Sequence, residues 1–97
     1  MRIQSPQLEP GELLHVDLDV DGYPFIPTTD DEFDFVLYSS DNIRLPAGTI
    51  LTVVSSSRDQ IPKVSDLWHL ALTPSGVTTF LLGHHYGIFY SKLYDNP

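Results

Sequence analysis

The 97-residue chain contains no cysteine. That absence excludes disulfides, thiol nucleophiles, iron–sulfur clusters and the usual structural zinc sites, and it agrees with a reducing compartment. Cations are scarce. Five Lys and Arg stand against thirteen Asp and Glu, for a formal charge of −8. Direct binding to a phosphate backbone needs clustered Lys and Arg, and this chain has no such cluster. No apolar run approaches the ~20 residues needed to cross a bilayer, and Met1-Arg2-Ile3-Gln4-Ser5-Pro6 holds no apolar signal-peptide core. There is no Gly-rich phosphate loop and no nucleophile elbow around any serine. The expectation is a soluble, cytoplasmic protein that is not an enzyme, does not bind nucleic acid directly and does not enter a membrane.

What is present is enough for one core. Hydrophobic residues make up 41% of the chain and aromatics 11%, too much for a disordered tail. Two cores in this length would each be marginal, so residues 1–97 read as a single domain. Eight prolines and six glycines punctuate short runs rich in Val, Ile, Leu, Thr, Phe and Tyr, the spacing of strands joined by turns. No window keeps a helical stripe for three turns. The fold class expected is all-β, or β-rich α+β.

Along the chain, Leu14, Val16, Leu18 and Val20 alternate with His15, Asp17 and Asp19, which predicts one strand over 13–20 with its acids on one face. Asp21-Gly22 reads as a two-residue hairpin turn. Pro24 and Pro27 restrict the returning segment, 23–28, to an edge or irregular strand. Strands are then expected over 33–38, 49–55 and 77–82, while 67–72 (with the lone Trp68), apolar on both faces, is a central strand or a buried helical turn. Between them fall a Leu45-Pro46-Ala47-Gly48 turn with Pro at its second position, a polar loop over 56–66, and a Pro74-Ser75-Gly76 turn. Gly83 to Gly87 is a further turn, and 88–94 closes the chain as strand or short helix.

From Phe33 onward the order of strand, Leu-Pro-Ala-Gly-Thr turn, strand, polar loop, Trp-bearing strand, Pro-Ser-Gly hairpin and strand resembles a small Src-homology-3-like (SH3-like) barrel. The resemblance covers about 60 residues and implies a barrel over 33–97, with residues 1–32 as an added N-terminal acidic β-hairpin. Such barrels host many functions, and the aromatic pair that peptide-binding members use is not identifiable, so no ligand is carried over. Short, acidic, cysteine-free β-rich chains of this kind are also similar in style to phage-encoded inhibitors that imitate nucleic acid.

Charge is divided unevenly. Residues 1–41 hold ten acids against the single base Arg2, a local charge of −9, whereas 42–97 sum to +1. A lopsided negative surface steers basic partners, although solubility alone also explains it. The candidate partner-binding residues are Asp17, Asp19, Asp21, Asp30, Asp31, Glu32 and Asp34. On one strand face His15, Asp17, Asp19 and Asp21 would recur every ~6.7 Å as a ladder of anions, which a nucleic-acid groove is built to accept. The same Asp17-x-Asp19-x-Asp21-Gly22 order matches the first half of an EF-hand calcium loop. The second half fails, because Thr28 stands where a bidentate Glu belongs and Pro24 and Pro27 interrupt. Four histidines, His15, His69, His84 and His85, give no zinc spacing; His84 and His85 read as turn residues and His69 as partly buried. Tyr86, Tyr90 and Tyr94 are candidate interface aromatics near the C-terminal end, where a homodimer would also form.

These readings converge on a small acidic protein-interaction domain without cofactors or metals. Its acidic face, residues 17 to 34, would dock on a protein with a basic surface, in its sharpest form by inhibiting a nucleic-acid-handling protein. The alternatives are a calcium-dependent module using Asp17 to Gly22 and a structural subunit of a homo-oligomer.

Overall fold

The computed structural model describes residues 7–61 and 64–93, with side chains left out over 57–66. The chain is strand-rich, as expected. Its strands are β1 (Leu13–Val16), β2 (Val20–Gly22), β3 (Ile43–Leu45), β4 (Ile50–Ile61), β5 (Val64–Leu72), β6 (Thr78–Leu82) and β7 (Tyr90–Lys92). One α-helix, α1 (Asp30–Tyr38), lies between β2 and β3, and a 3-10 turn, Gly83–His85, lies between β6 and β7. Five strands form an antiparallel sheet in the order β6-β5-β4-β1-β7, while β2 and β3 pair separately.

The N-terminal hairpin is not formed. Residues 13–20 divide into two strands that belong to different sheets, and Asp21-Gly22 lies inside β2 opposite Arg44 and Ile43. The break falls at Asp17–Asp19. There the Asp17 and Leu18 amides both donate to Phe89 O (2.7 and 3.1 Å), and the Asp19 side chain takes the Ala47 amide (2.8 Å). Side-chain acceptors of this kind compete with a ladder and end it. Leu14, Val16 and Val20 are buried as the alternation predicts, but Leu18 is 54% exposed.

Gly22 serves close packing instead of a turn. An added Cβ would collide with Thr79 Oγ1 and lie 3.0 Å from Thr79 Cβ and Cγ2. Its successor Tyr23 bridges to Phe80 by backbone bonds of 2.8 and 2.9 Å, which joins the small sheet to β6. Only a residue without a side chain leaves room for the Thr79 side chain here.

The expected strand over 33–38 is helix. Thr29 is the N-cap, with its Oγ1 accepting from the Glu32 amide (3.1 Å). Glu32 Oε2 in turn accepts from the Thr28 amide and hydroxyl (both 2.7 Å). This is a capping box displaced by one residue, and the acids Asp30, Asp31 and Glu32 suit the positive end of the helix dipole. At the other end Asn42 Nδ2 donates to Val36 O (2.7 Å), satisfying a carbonyl the helix leaves open.

The stretch expected as a polar loop, 56–66, is strand over 56–61 and 64–66, with β4–β5 pairing that continues from Ser55↔Leu70 to Ile61↔Val64 past a bulge at Val53–Ser55. The turn before β4 also sits one residue later than expected. Thr49 N donates to Pro46 O (3.2 Å), so Pro46 is its first residue and Gly48 takes the positive φ of +93°. The Pro74-Ser75-Gly76 turn forms as read, closed by Gly76 N to Thr73 O (3.0 Å).

Two apolar clusters result. One lies on the sheet around Leu14, Leu51, Ala71 and Leu81, with Leu8 of the N-terminal arm packed into it. The other joins Trp68, Tyr23, Leu82 and Val36, with Tyr23 edge-on to Trp68 at 5.8 Å. Val36 is the one helix residue that is fully buried.

Gly22→Ala is expected to destabilise the protein by roughly 1–3 kcal/mol in urea unfolding, the usual range for overpacking. In the Gly22→Ala/Thr79→Ala double variant most of that loss should be recovered, because the colliding hydroxyl is gone. Simple additivity would contradict the close-approach account.

Candidate functional site

The candidate acids fall into two groups with different surroundings. Asp17, Asp19 and Asp21 lie on the β1–β2 connection and are each tied to neighbours. Asp17 Oδ1 accepts from His15 Nδ1 (2.8 Å) and its Oδ2 from Ser91 Oγ (2.9 Å). The carboxylate can only accept, so His15 donates. Asp19 Oδ2 takes Arg44 Nη2 (3.3 Å) while its Oδ1 holds the Ala47 amide. Asp21 lies 4.0 Å from Arg44 Nη1. The hydrogen bond from His15, followed by that from Ser91, lowers the Asp17 pKa. The Ala47 amide, then Arg44, lowers that of Asp19. Hydrogen bonds from the Thr28 hydroxyl and amide do the same for Glu32.

The anion ladder is therefore not present as expected. Asp17 and Asp19 lie in the link between strands and turn toward different partners, so their spacing is not that of one strand face. The same divergence removes the geometry for calcium, and among the described residues no three His, Asp or Glu side chains gather to hold a metal ion.

The second group belongs to α1. Asp30 is half-buried, Glu32 is committed to the cap, and Asp31 and Asp34 face solvent. Asp31, Asp34, Phe35 and Tyr38 stand at i, i+3, i+4 and i+7, which places them on one helix face. Tyr38 is 84% exposed and Phe35 49%. One side of the Phe35 ring stacks on Phe25 (5.9 Å, 19°). The last turn of α1 carries no basic residue. Among the described side chains both cations are engaged elsewhere, Arg44 with Asp19 and Asp21, and Lys92 with Glu12 at 3.4 Å. The outward face of α1 thus combines uncompensated negative charge with exposed aromatic surface.

The C-terminal aromatics have another role. Tyr90, expected as an interface residue, is fully buried and donates its hydroxyl to Leu82 O (2.8 Å). Tyr86 packs edge-on against it at 5.8 Å. The Tyr86 hydroxyl accepts from the Lys92 amide (3.4 Å) and Gly87 N donates to Tyr90 O (2.7 Å). These bonds occupy the outer edge of β7, which would otherwise offer itself to another strand. Both tyrosines complete the fold, and Tyr94 lies outside the described residues.

His69 is fully buried, more than the sequence suggested. Its Nδ1 is 2.7 Å from Ser56 Oγ, which also bonds the Leu8 carbonyl (3.1 Å) and amide (3.3 Å). The pair fastens the N-terminal arm to β4. His84 and His85 lie in the 3-10 turn, in keeping with their reading as turn residues.

Sequence reasoning missed Phe35 and Tyr38 as surface residues. Thr29-x-x-Glu32 was the signal for a helix there. Among the described residues no helix is long and apolar enough to cross a membrane. Comparison with family models, curated proteins and solved structures found no match at the threshold applied.

The cap and the pKa shifts together give a pH dependence. Carboxylates with lowered folded pKa values stabilise the protein above their unfolded values, about 4, and that contribution is lost as pH falls through the folded values. Glu32→Gln should therefore be less stable than the parent at pH 7. The gap should close on acidification below about pH 4, followed by thermal melts across pH. A gap independent of pH would contradict the charge-assisted cap.

Proposed function

We propose that this protein is a small interaction domain that docks the acidic side of α1 on a basic surface of a protein partner. One observation carries the reading. The acids of the β1–β2 connection have hydrogen-bond or ion-pair partners within the fold, whereas Asp31 and Asp34 are exposed with no cation beside them among the described side chains. Uncompensated charge of one sign raises encounter rates with the opposite sign and adds little to internal stability.

The strand order β6-β5-β4-β1-β7, with a 3-10 turn before the last strand, supports an SH3-like barrel as the underlying architecture. In that reading β1 is the first barrel strand, and β2, α1 and β3 form a long insertion between it and β4. The insertion holds the interaction face, as loops on rigid scaffolds commonly do. Imitation of nucleic acid asks for evenly spaced anions along a line. The broken β1–β2 strand offers no such line, so the reading retained is docking to a basic protein. A cytoplasmic location belongs to the same proposal, in keeping with a chain that has no cysteine.

The test is affinity capture from the native host lysate with the parent, with Asp31→Lys/Asp34→Lys and with Asp17→Asn/Asp21→Asn, at low and high salt. A basic partner should be retained by the parent at low salt and released as salt rises. The helix variant should bind it at least about tenfold more weakly, the equivalent of ~1.4 kcal/mol, and the strand variant should bind much as the parent does. Undiminished capture by a folded helix variant would overturn the proposal.

A further inference from the structure

The outward face of α1 carries two carboxylate–aromatic pairs. Asp31 and Phe35 are one turn apart, as are Asp34 and Tyr38, so each pair brings its Cβ atoms within about 5–6 Å. The pairs are three residues apart along the helix and lie side by side. All four residues are exposed or half-exposed, and only the Phe25 side of Phe35 is covered.

We infer that this face is a docking site for an arginine-bearing segment of a protein, with each carboxylate–aromatic pair receiving one guanidinium. The inference rests on the reading of α1 as the interaction face and names the chemistry of its partner. A guanidinium is planar. It can lie flat on an aromatic ring while its edge N–H groups reach a carboxylate one turn away. A lysine ammonium is a compact, strongly hydrated point charge and gains less from the ring. A purely aliphatic partner would cover Asp31 and Asp34 without pairing them, which is costly. A phosphate backbone is repelled by the same two charges. Because one side of Phe35 is already stacked, the Asp34–Tyr38 pair, with Tyr38 84% exposed, is the dominant subsite. The spacing of the two pairs matches arginines three or four residues apart on a helix.

The experiment uses the whole protein and two labelled helical peptides of equal charge, one with arginines at i and i+4 and its twin with lysines, followed by fluorescence anisotropy at low salt. The arginine peptide should bind roughly two- to fivefold tighter per ring engaged. Tyr38→Ala should remove the larger part of that preference, the share of the dominant subsite, while leaving lysine-peptide affinity nearly unchanged. Tyr38→Phe should keep the preference, since the ring and not the hydroxyl is used. Asp31→Asn/Asp34→Asn should weaken both peptides. Tyr38 is exposed, so circular dichroism should find its variants folded. Equal affinity for the twins, or a preference undiminished by Tyr38→Ala, overturns the arginine site while the interaction-face reading stands. Failure of both peptides to bind the parent overturns that reading, and this inference with it.

Discussion

The Asp19 carboxylate ties together parts of the chain that sequence separation keeps apart. One oxygen holds the Ala47 amide in the turn before β4, and the other meets Arg44 on β3. This stops β1 from running on into β2 and sends the chain from one sheet to the other. The segment that follows, with α1 at its centre, leaves the five-stranded sheet and returns to it through β3. Without that interruption the alternating pattern of residues 13–20 would extend as one strand, and the acids would line one face of it. The pair with Arg44 is exposed and contributes little alone. The bond to a backbone amide is what directs the path.

A second constraint follows three residues later in the chain. Gly22 lets β2 approach β6, and Tyr23 then pairs with Phe80 and closes over Trp68. Beyond these two fixed points α1 is lightly held. It buries one residue completely, Val36, and is bounded by the Thr29–Glu32 cap and by Asn42. A nine-residue helix is too short to be stable alone, so the cap and that single contact determine whether it forms. Of the exposed aromatics on its outer face, Phe35 offers the fold one side of its ring, stacked on Phe25, and Tyr38 is 84% exposed. That cost in exposed apolar surface is the physical reason for assigning the face to a partner.

Much of the sheet was legible in the sequence. The apolar runs of β5 and β6, the Pro74-Ser75-Gly76 turn between them and the alternation of Leu14 and Val16 report burial directly, and burial is what periodicity records. The outer part of the β4–β5 hairpin was not legible, since Ser55, Ser56 and Ser57 are polar residues placed by strand pairing, which apolar periodicity does not record. The helix was hidden for a related reason. One fully buried residue makes too narrow a stripe, and Phe33, Phe35, Val36 and Tyr38 have strand propensity, so the capping box was the better guide. At the candidate site the acidic half of the chain was found from charge alone. Its division could not be, because Ala47, Ser91 and Arg44 reach the strand acids only through the fold. The tyrosines misled in the same way: Tyr90 is core and Tyr38 is surface, and nothing local distinguishes them.

The most direct test of this division is to map where a cationic ligand lands. Amide chemical-shift changes would be recorded as an arginine-containing peptide is added to the isotopically labelled protein. The account predicts the largest changes at Asp31, Asp34, Phe35 and Tyr38, with Asp17, Asp19 and Asp21 less affected because their carboxylates already hold partners within the fold. Largest changes over Asp17 to Asp21 would contradict it.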